Sequence, residues 1–264
     1  MNWKPAVFIS LVLAGTTTAC EAKPNGEVVG ENSAAPADTS AQPVTLKAAD
    51  GVVVHGLYYE AQKPKALILL FHQASSSKDE YAAIAPQLVT AGFSALAIDQ
   101  RSGNGMFGKN ETATGLGRKA DYLEARPDLK AALDWARTKS LPIVLWGSSY
   151  SSSLIFPLAA RDPKGIVALL AFSPGEYFND KSMIRAAAAK VKVPVFVASA
   201  NSKDETGEAD PIMAALPRSD RNVRFVPTHG VHGSSMLIAS RNEAGAGENM
   251  RSVLAFLTRV VPSR

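Results

Sequence analysis

Among 264 residues, one short segment has the types and spacing for nucleophilic chemistry: Gly147-Ser148-Ser149-Tyr150-Ser151. It follows the apolar run Pro142 to Trp146 and precedes a helical stretch from Tyr150 to Ala160. Strand, sharp turn and helix make the setting in which a serine hydroxyl is lifted out of the backbone for attack. Such a turn is strained and brings backbone close to its neighbours, so small residues are needed two before and two after the nucleophile. Gly147 and Ser151 fill those places, which makes Ser149 the candidate. A register centred on Ser148 would put Trp146 and Tyr150 there instead. A plain serine-rich helix cap is the bland alternative.

Other chemistries find little support. One cysteine allows neither an intrachain disulfide nor a cysteine cluster for zinc, and four histidines leave little for a multi-histidine metal site. The net charge of +4 comes without a dense Lys/Arg cluster, so a nucleic-acid partner is not expected. Hydrophobic residues at 46% and charged residues at 20% are ordinary for a globular chain.

Elements that could position Ser149 follow from hydrophobic period. Val44 to Lys47 and Val52 to Tyr59 flank the turn signal Asp50-Gly51. Ala66 to Phe71, Phe93 to Ile98, Pro142 to Trp146, Gly165 to Phe172, Pro194 to Ala200 and Val223 to Pro227 read as buried strands. Lys78 to Ala91, Asp121 to Lys139, Tyr150 to Ala160 and Asn249 to Val260 read as helices, with Pro157 expected to kink or shorten the third. Strands alternating with helices imply a mostly parallel twisted sheet covered on both faces. Ser102 to Lys119 reads as a long loop, and no stretch is left for a large cap domain.

The N-terminus reads as an address. Lys4 precedes ten apolar or small residues, Ala6 to Gly15, too few to span a bilayer, which takes about 20. Residues 1–19 are expected to be a signal peptide cleaved after Ala19. Cys20 follows, and the junction resembles the lipobox of bacterial lipoproteins, with Thr17 where that family prefers Leu. The resemblance implies acylation of Cys20, a membrane anchor and export to the cell envelope. Residues 20–43 are rich in Ala, Pro, Asn, Gly, Ser and Thr and read as a flexible linker. Residues 44–264 form the folded domain.

Over that domain the chain resembles the α/β-hydrolases, more narrowly their cap-less, dienelactone-hydrolase-like branch. The resemblance implies a triad in the order nucleophile, acid, histidine. His232, in His229-Gly230-Val231-His232-Gly233, is the implied base, with His229 the alternative. The acid should follow strand Pro194 to Ala200, where Asp204 is the first choice and Glu205 the second; Glu176 is an option after the preceding strand. The implied oxyanion donors are the amides of Tyr150 and Ala74, with Gln73 the alternative because it replaces a usual glycine. His72 and Arg101 should brace loops, and His55 should lie at the surface. The implied function is a serine carboxylesterase acting through an acyl-enzyme on small esters, lactones or thioesters, needing no cofactor. Alternatives are a non-catalytic envelope binding protein on the same scaffold and a peptidase-like amide hydrolase. The oligomeric state is open.

Overall fold

The computed structural model describes residues 40–261. The expected signal peptide, Cys20 and all but the last residues of the expected linker lie outside the described residues. Eight strands form one sheet: β1 (Ala41–Lys47), β2 (Val53–Tyr59), β3 (Leu67–Phe71), β4 (Ser94–Ile98), β5 (Ile143–Ser148), β6 (Ile166–Phe172), β7 (Val195–Ala198) and β8 (Val223–Phe225). Their spatial order is β1-β2-β4-β3-β5-β6-β7-β8. β1 and β2 pair antiparallel, β2 meets β4 antiparallel, and every later pairing is parallel.

β1 begins at Ala41, inside the expected linker. Pro43 hid this start. Proline has no amide hydrogen to give a ladder, but at the sheet edge, where Pro43 stands opposite Leu57, that loss is tolerated.

The buried strands read as continuous apolar runs because both faces are covered. Side chains alternate between two cores. Leu67, Leu69, Phe71, Ile143 and Leu145 point to one. Ile68, Leu70, Val144 and Trp146 point to the other. All five residues of β3 are fully buried. Each large apolar side chain so buried contributes roughly 1.5–3 kcal/mol.

Among the described residues seven α-helices accompany the sheet: α1 (Ala85–Thr90), α2 (Glu111–Leu116), α3 (Arg126–Arg137), α4 (Tyr150–Arg161), α5 (Met183–Ala188), α6 (Lys203–Ala215) and α7 (Ala246–Val260). Two expected helices are split. Lys78–Tyr81 and Tyr122–Ala125 are 3-10 turns, and α1 and α3 start afresh with Pro86 and Pro127 in their first turns. Proline lacks the amide that would link each helix to the preceding turn. Conversely, Pro157 does not end α4, which continues to Arg161. Leu154, Ile155 and Phe156 before it and Ala159 after it are buried, so packing holds the helix across the missing bond. The expected Ser102–Lys119 loop contains α2, capped by the Asn110 side chain and ended by Gly117 in the left-handed region.

Candidate active site

β5 delivers Ser149 into a sharp turn at the carboxyl end of the sheet. Its φ of 59° and ψ of −127° are strained for any residue but glycine. The turn is held on all sides. Ser149 N donates to Phe172 O at 2.8 Å, fixing the elbow to β6. A side chain on Gly147 would put its Cβ 2.4 Å from Ser152 Cα, so only glycine fits there. The serine at the second small place is functional in its own right. Ser151 Oγ donates to Phe71 O at 2.7 Å and accepts Ser148 N–H at 3.0 Å, tying the elbow to β3 as a glycine could not. Ser148 is fully buried and its Oγ accepts Ser234 N–H at 2.9 Å, so the register centred on it fails.

His232 lies just before the 3-10 turn Gly233–Leu237. That turn is pinned to the elbow. Besides the Ser234–Ser148 bond, Gly233 N donates to Ser173 Oγ at 2.9 Å, and Trp146 Nε1 donates to Ser234 Oγ at 2.9 Å. Gly233 takes φ 65°, and a Cβ on it would meet Ser148 Oγ at 2.5 Å. The other histidine of the loop, His229, is exposed; its carbonyl accepts from Asn242 and Asn249, and its ring pairs with no acid.

Glu205, not Asp204, is the carboxylate paired with His232. Glu205 Oε1 makes a short hydrogen bond with His232 Nδ1. The cause is local. α6 starts at Lys203 with Ser202 as its cap, the Ser202 hydroxyl accepting Glu205 N–H. Successive side chains on a helix point about 100° apart, so when Glu205 faces the histidine loop, Asp204 faces solvent. Burial of Glu205 works against its charge, but the hydrogen bond from His232 and the nearby Ser173 hydroxyl outweigh it and hold the carboxyl below its ordinary value. The remaining option, Glu176, is used elsewhere. Its two oxygens accept Ile184 N–H and Arg185 N–H, each at 2.9 Å, capping α5.

The loop after β3 passes beside the elbow. Gln73 N donates to Glu80 Oε2 at 2.8 Å, which removes that amide from contention as an oxyanion donor. The amides of Ala74 and Tyr150 have no such protein acceptor. His72 braces this loop: Nδ1 donates to Gln73 O at 2.7 Å and Nε2 accepts Gln100 N–H at 2.9 Å. Burial lowers its pKa to about 4, so it is neutral at pH 7. Arg101 also braces, its guanidinium held between Asp128 and Asp50. His55 is half-buried on β2 rather than exposed, and its amide donates to Thr112 Oγ1.

Two residues not singled out by sequence stand here. Tyr177 donates its hydroxyl to Ser173 O at 2.7 Å and faces Ser149. Ser173 links that tyrosine to the histidine loop. Both belong to an irregular stretch after β6, where no period marks them. Beside the site, a recess of about 720 Å³ is bordered by Ser75, Ser102, Lys109, Lys119 and Tyr122 among others. It adjoins Tyr150, whose hydroxyl pairs with Ser102 Oγ at 2.7 Å and whose ring stacks on Tyr122. Among the described residues no cluster of three His, Cys, Asp or Glu side chains is set to hold a metal ion.

Comparison with known proteins agrees with this fold. A dienelactone hydrolase from Anabaena variabilis is 16% identical with a TM-score of 0.66, over 86% of this chain and 100% of its own. An esterase from Pyrococcus furiosus is 18% identical with a TM-score of 0.63, over 85% of this chain and 94% of its own. A cold-adapted esterase from an Arctic intertidal metagenomic library is 19% identical with a TM-score of 0.65, over 84% of this chain and 94% of its own. At these identities the likeness is one of fold. No curated protein matches the sequence. The family described as "Serine aminopeptidase, S33" matches residues 62–237. On that match, which takes in the elbow, Glu205 and His232, the chain belongs to the serine aminopeptidase S33 family within the α/β-hydrolases.

Proposed function

We propose that this protein is a serine hydrolase that cleaves carboxyl esters of small molecules through an acyl-enzyme. The observation that carries the reading is Ser149 in a strained elbow whose preceding residue, Ser148, accepts a hydrogen bond from the turn beside His232, a histidine itself paired to a carboxylate. In this reading Ser149 Oγ attacks the ester carbonyl while His232 Nε2 takes its proton. Glu205 fixes the tautomer with hydrogen on Nδ1 and stabilises the imidazolium that forms. The amides of Ala74 and Tyr150 hold the tetrahedral oxyanion; each such donor is typically worth about 2.7–4 kcal/mol of barrier. His232 returns the proton to the leaving alkoxide. Water then repeats the sequence on the acyl-enzyme and frees the acid. Hydrolysis of p-nitrophenyl acetate that disappears in Ser149→Ala supports the reading; equal rates in both proteins refute it.

The family match favours one other reading, a peptidase acting on amides. An amide expels a poorer leaving group and needs its nitrogen protonated as the bond breaks, so esters remain the first choice. A peptidyl p-nitroanilide turned over as fast as the matching ester would reverse that choice. We further propose that the enzyme is exported and held at the cell envelope through a lipid on Cys20, as the residues around Ala19 suggest.

A further inference from the structure

One ionisable side chain beside the site has no part in the chemistry above. Glu80 is 1% exposed, on the 3-10 turn that follows the β3 loop. Burial raises its pKa, because water cannot reach the charged form. A carboxyl in such a place is costly unless its oxygens are used. Oε2 is used, accepting Gln73 N–H at 2.8 Å. The hydroxyls of Ser76 and Ser148 face the same carboxyl, while Oε1 is buried without a hydrogen bond of its own.

Three segments of the site therefore meet at this group. Gln73 immediately precedes Ala74, and its side chain reaches the other way, donating Nε2–H to Ser235 Oγ at 3.2 Å beyond His232. Ser148 precedes the nucleophile and accepts from Ser234 on the histidine turn. Neighbouring peptide planes share one Cα, so in a packed loop a turn of one shifts the next. With Gln73 N–H drawn inward onto Glu80, the next amide, that of Ala74, is left without a protein acceptor. Without an acceptor at Glu80, the Gln73 amide is left buried and unpaired, which costs free energy. Turning the loop toward the reacting carbonyl would relieve that cost and displace the Ala74 amide.

We propose that Glu80 is a positioning residue for acyl transfer, its carboxyl holding the Gln73 amide so that the Ala74 N–H is aimed at the oxyanion. This rests on Ser149 being the nucleophile and Ala74 an oxyanion donor. It predicts that loss of Glu80 weakens the transition state and leaves ground-state binding in place.

The test uses an oxoester and its thionoester analogue on the folded protein. Sulfur accepts hydrogen bonds poorly, so well-aimed donors favour the oxoester, and the ratio of the two kcat values reports their aim. Glu80→Ala should lower oxoester kcat by about tenfold or more, with KM within about threefold and the oxoester preference reduced by a similar factor. Glu80→Gln keeps an acceptor for the Gln73 amide and should restore kcat to within about threefold of wild type. If Glu80→Ala does not fold, Glu80→Asp carries the same expectation, since its carboxylate is one methylene too short to reach. The proposal is overturned if the folded Ala or Asp variant keeps the wild-type oxoester preference, whatever its kcat, or if Glu80→Gln loses as much as Glu80→Ala. Failure of the wild type to turn over the oxoester is a different result: it removes the serine-hydrolase reading, and this inference with it.

Discussion

Replacing Glu205 tests the acid that the structure brings to His232. Glu205→Gln preserves shape and volume but removes the charge facing the imidazolium formed when Ser149 is deprotonated. Two unit charges about 4 Å apart at an effective dielectric of about 20 interact by about 4 kcal/mol. The side chain is 17% exposed, so water screens part of this. If half to all of the interaction is lost, the barrier rises by about 2–4 kcal/mol, a fall in kcat of about 30- to 1000-fold. A neutral amide can also present its NH2 group to Nδ1 and favour the wrong tautomer, which acts in the same direction. The assay is kcat and KM for p-nitrophenyl acetate at pH 8 on the variant, on wild type and on Asp204→Ala. Asp204 is exposed and accepts no hydrogen bond from His232, so its removal should change kcat by less than about twofold. A large loss in Asp204→Ala with near wild-type turnover in Glu205→Gln would refute the assignment.

Other consequences follow from the same contacts. Gly147→Ala should abolish ester hydrolysis, because its Cβ would lie 2.4 Å from Ser152 Cα and the elbow could not close; turnover above about a tenth of wild type would show that the turn can adjust. His72 is buried with its pKa lowered from 6.5 to about 4, so the unfolded chain binds its proton first as pH falls. It should therefore remove stability between about pH 6.5 and 4, by roughly 3 kcal/mol in all. Urea unfolding at pH 7 and pH 4.5 measures this, and a midpoint that does not move would contradict it. Glu205 loses its own contribution only below about pH 4.5, the ordinary glutamate value, and so lies outside most of that window. Finally, Cys20→Ala should move the protein from the membrane to the soluble fraction with kcat unchanged; a variant that stays on the membrane would remove the lipid-anchor proposal.

Sequence made much of this visible where period and chemistry coincide. The strand runs stood out because both faces of each strand are buried, and Ser149 stood out because a strand, a glycine and a helix meet around it. The acid was harder. Asp204 and Glu205 are adjacent, and only the start of α6 decides which faces His232. That helix is masked by Gly207 and Pro211 within it, both poor helix residues. Glu176 stays open as an acid in the sequence because α5, which it caps, is only six residues long and carries no full amphipathic period. α2 had its signals in Asn110 and Gly117, but its six residues sit among glycines that suggest a loop. The tie between Glu80 and Gln73 has no sequence signature, since it depends on how two turns stack.

The central claim is that Ser149 is the nucleophile, and covalent labelling tests it most directly. Wild-type protein treated with a fluorophosphonate and digested should carry the phosphonyl group on the peptide containing Gly147 to Ser151, with fragmentation placing it on Ser149. Ser149→Ala should take up no label, while retaining the wild-type unfolding midpoint. Label on another serine, or equal labelling of the alanine variant, would contradict the account.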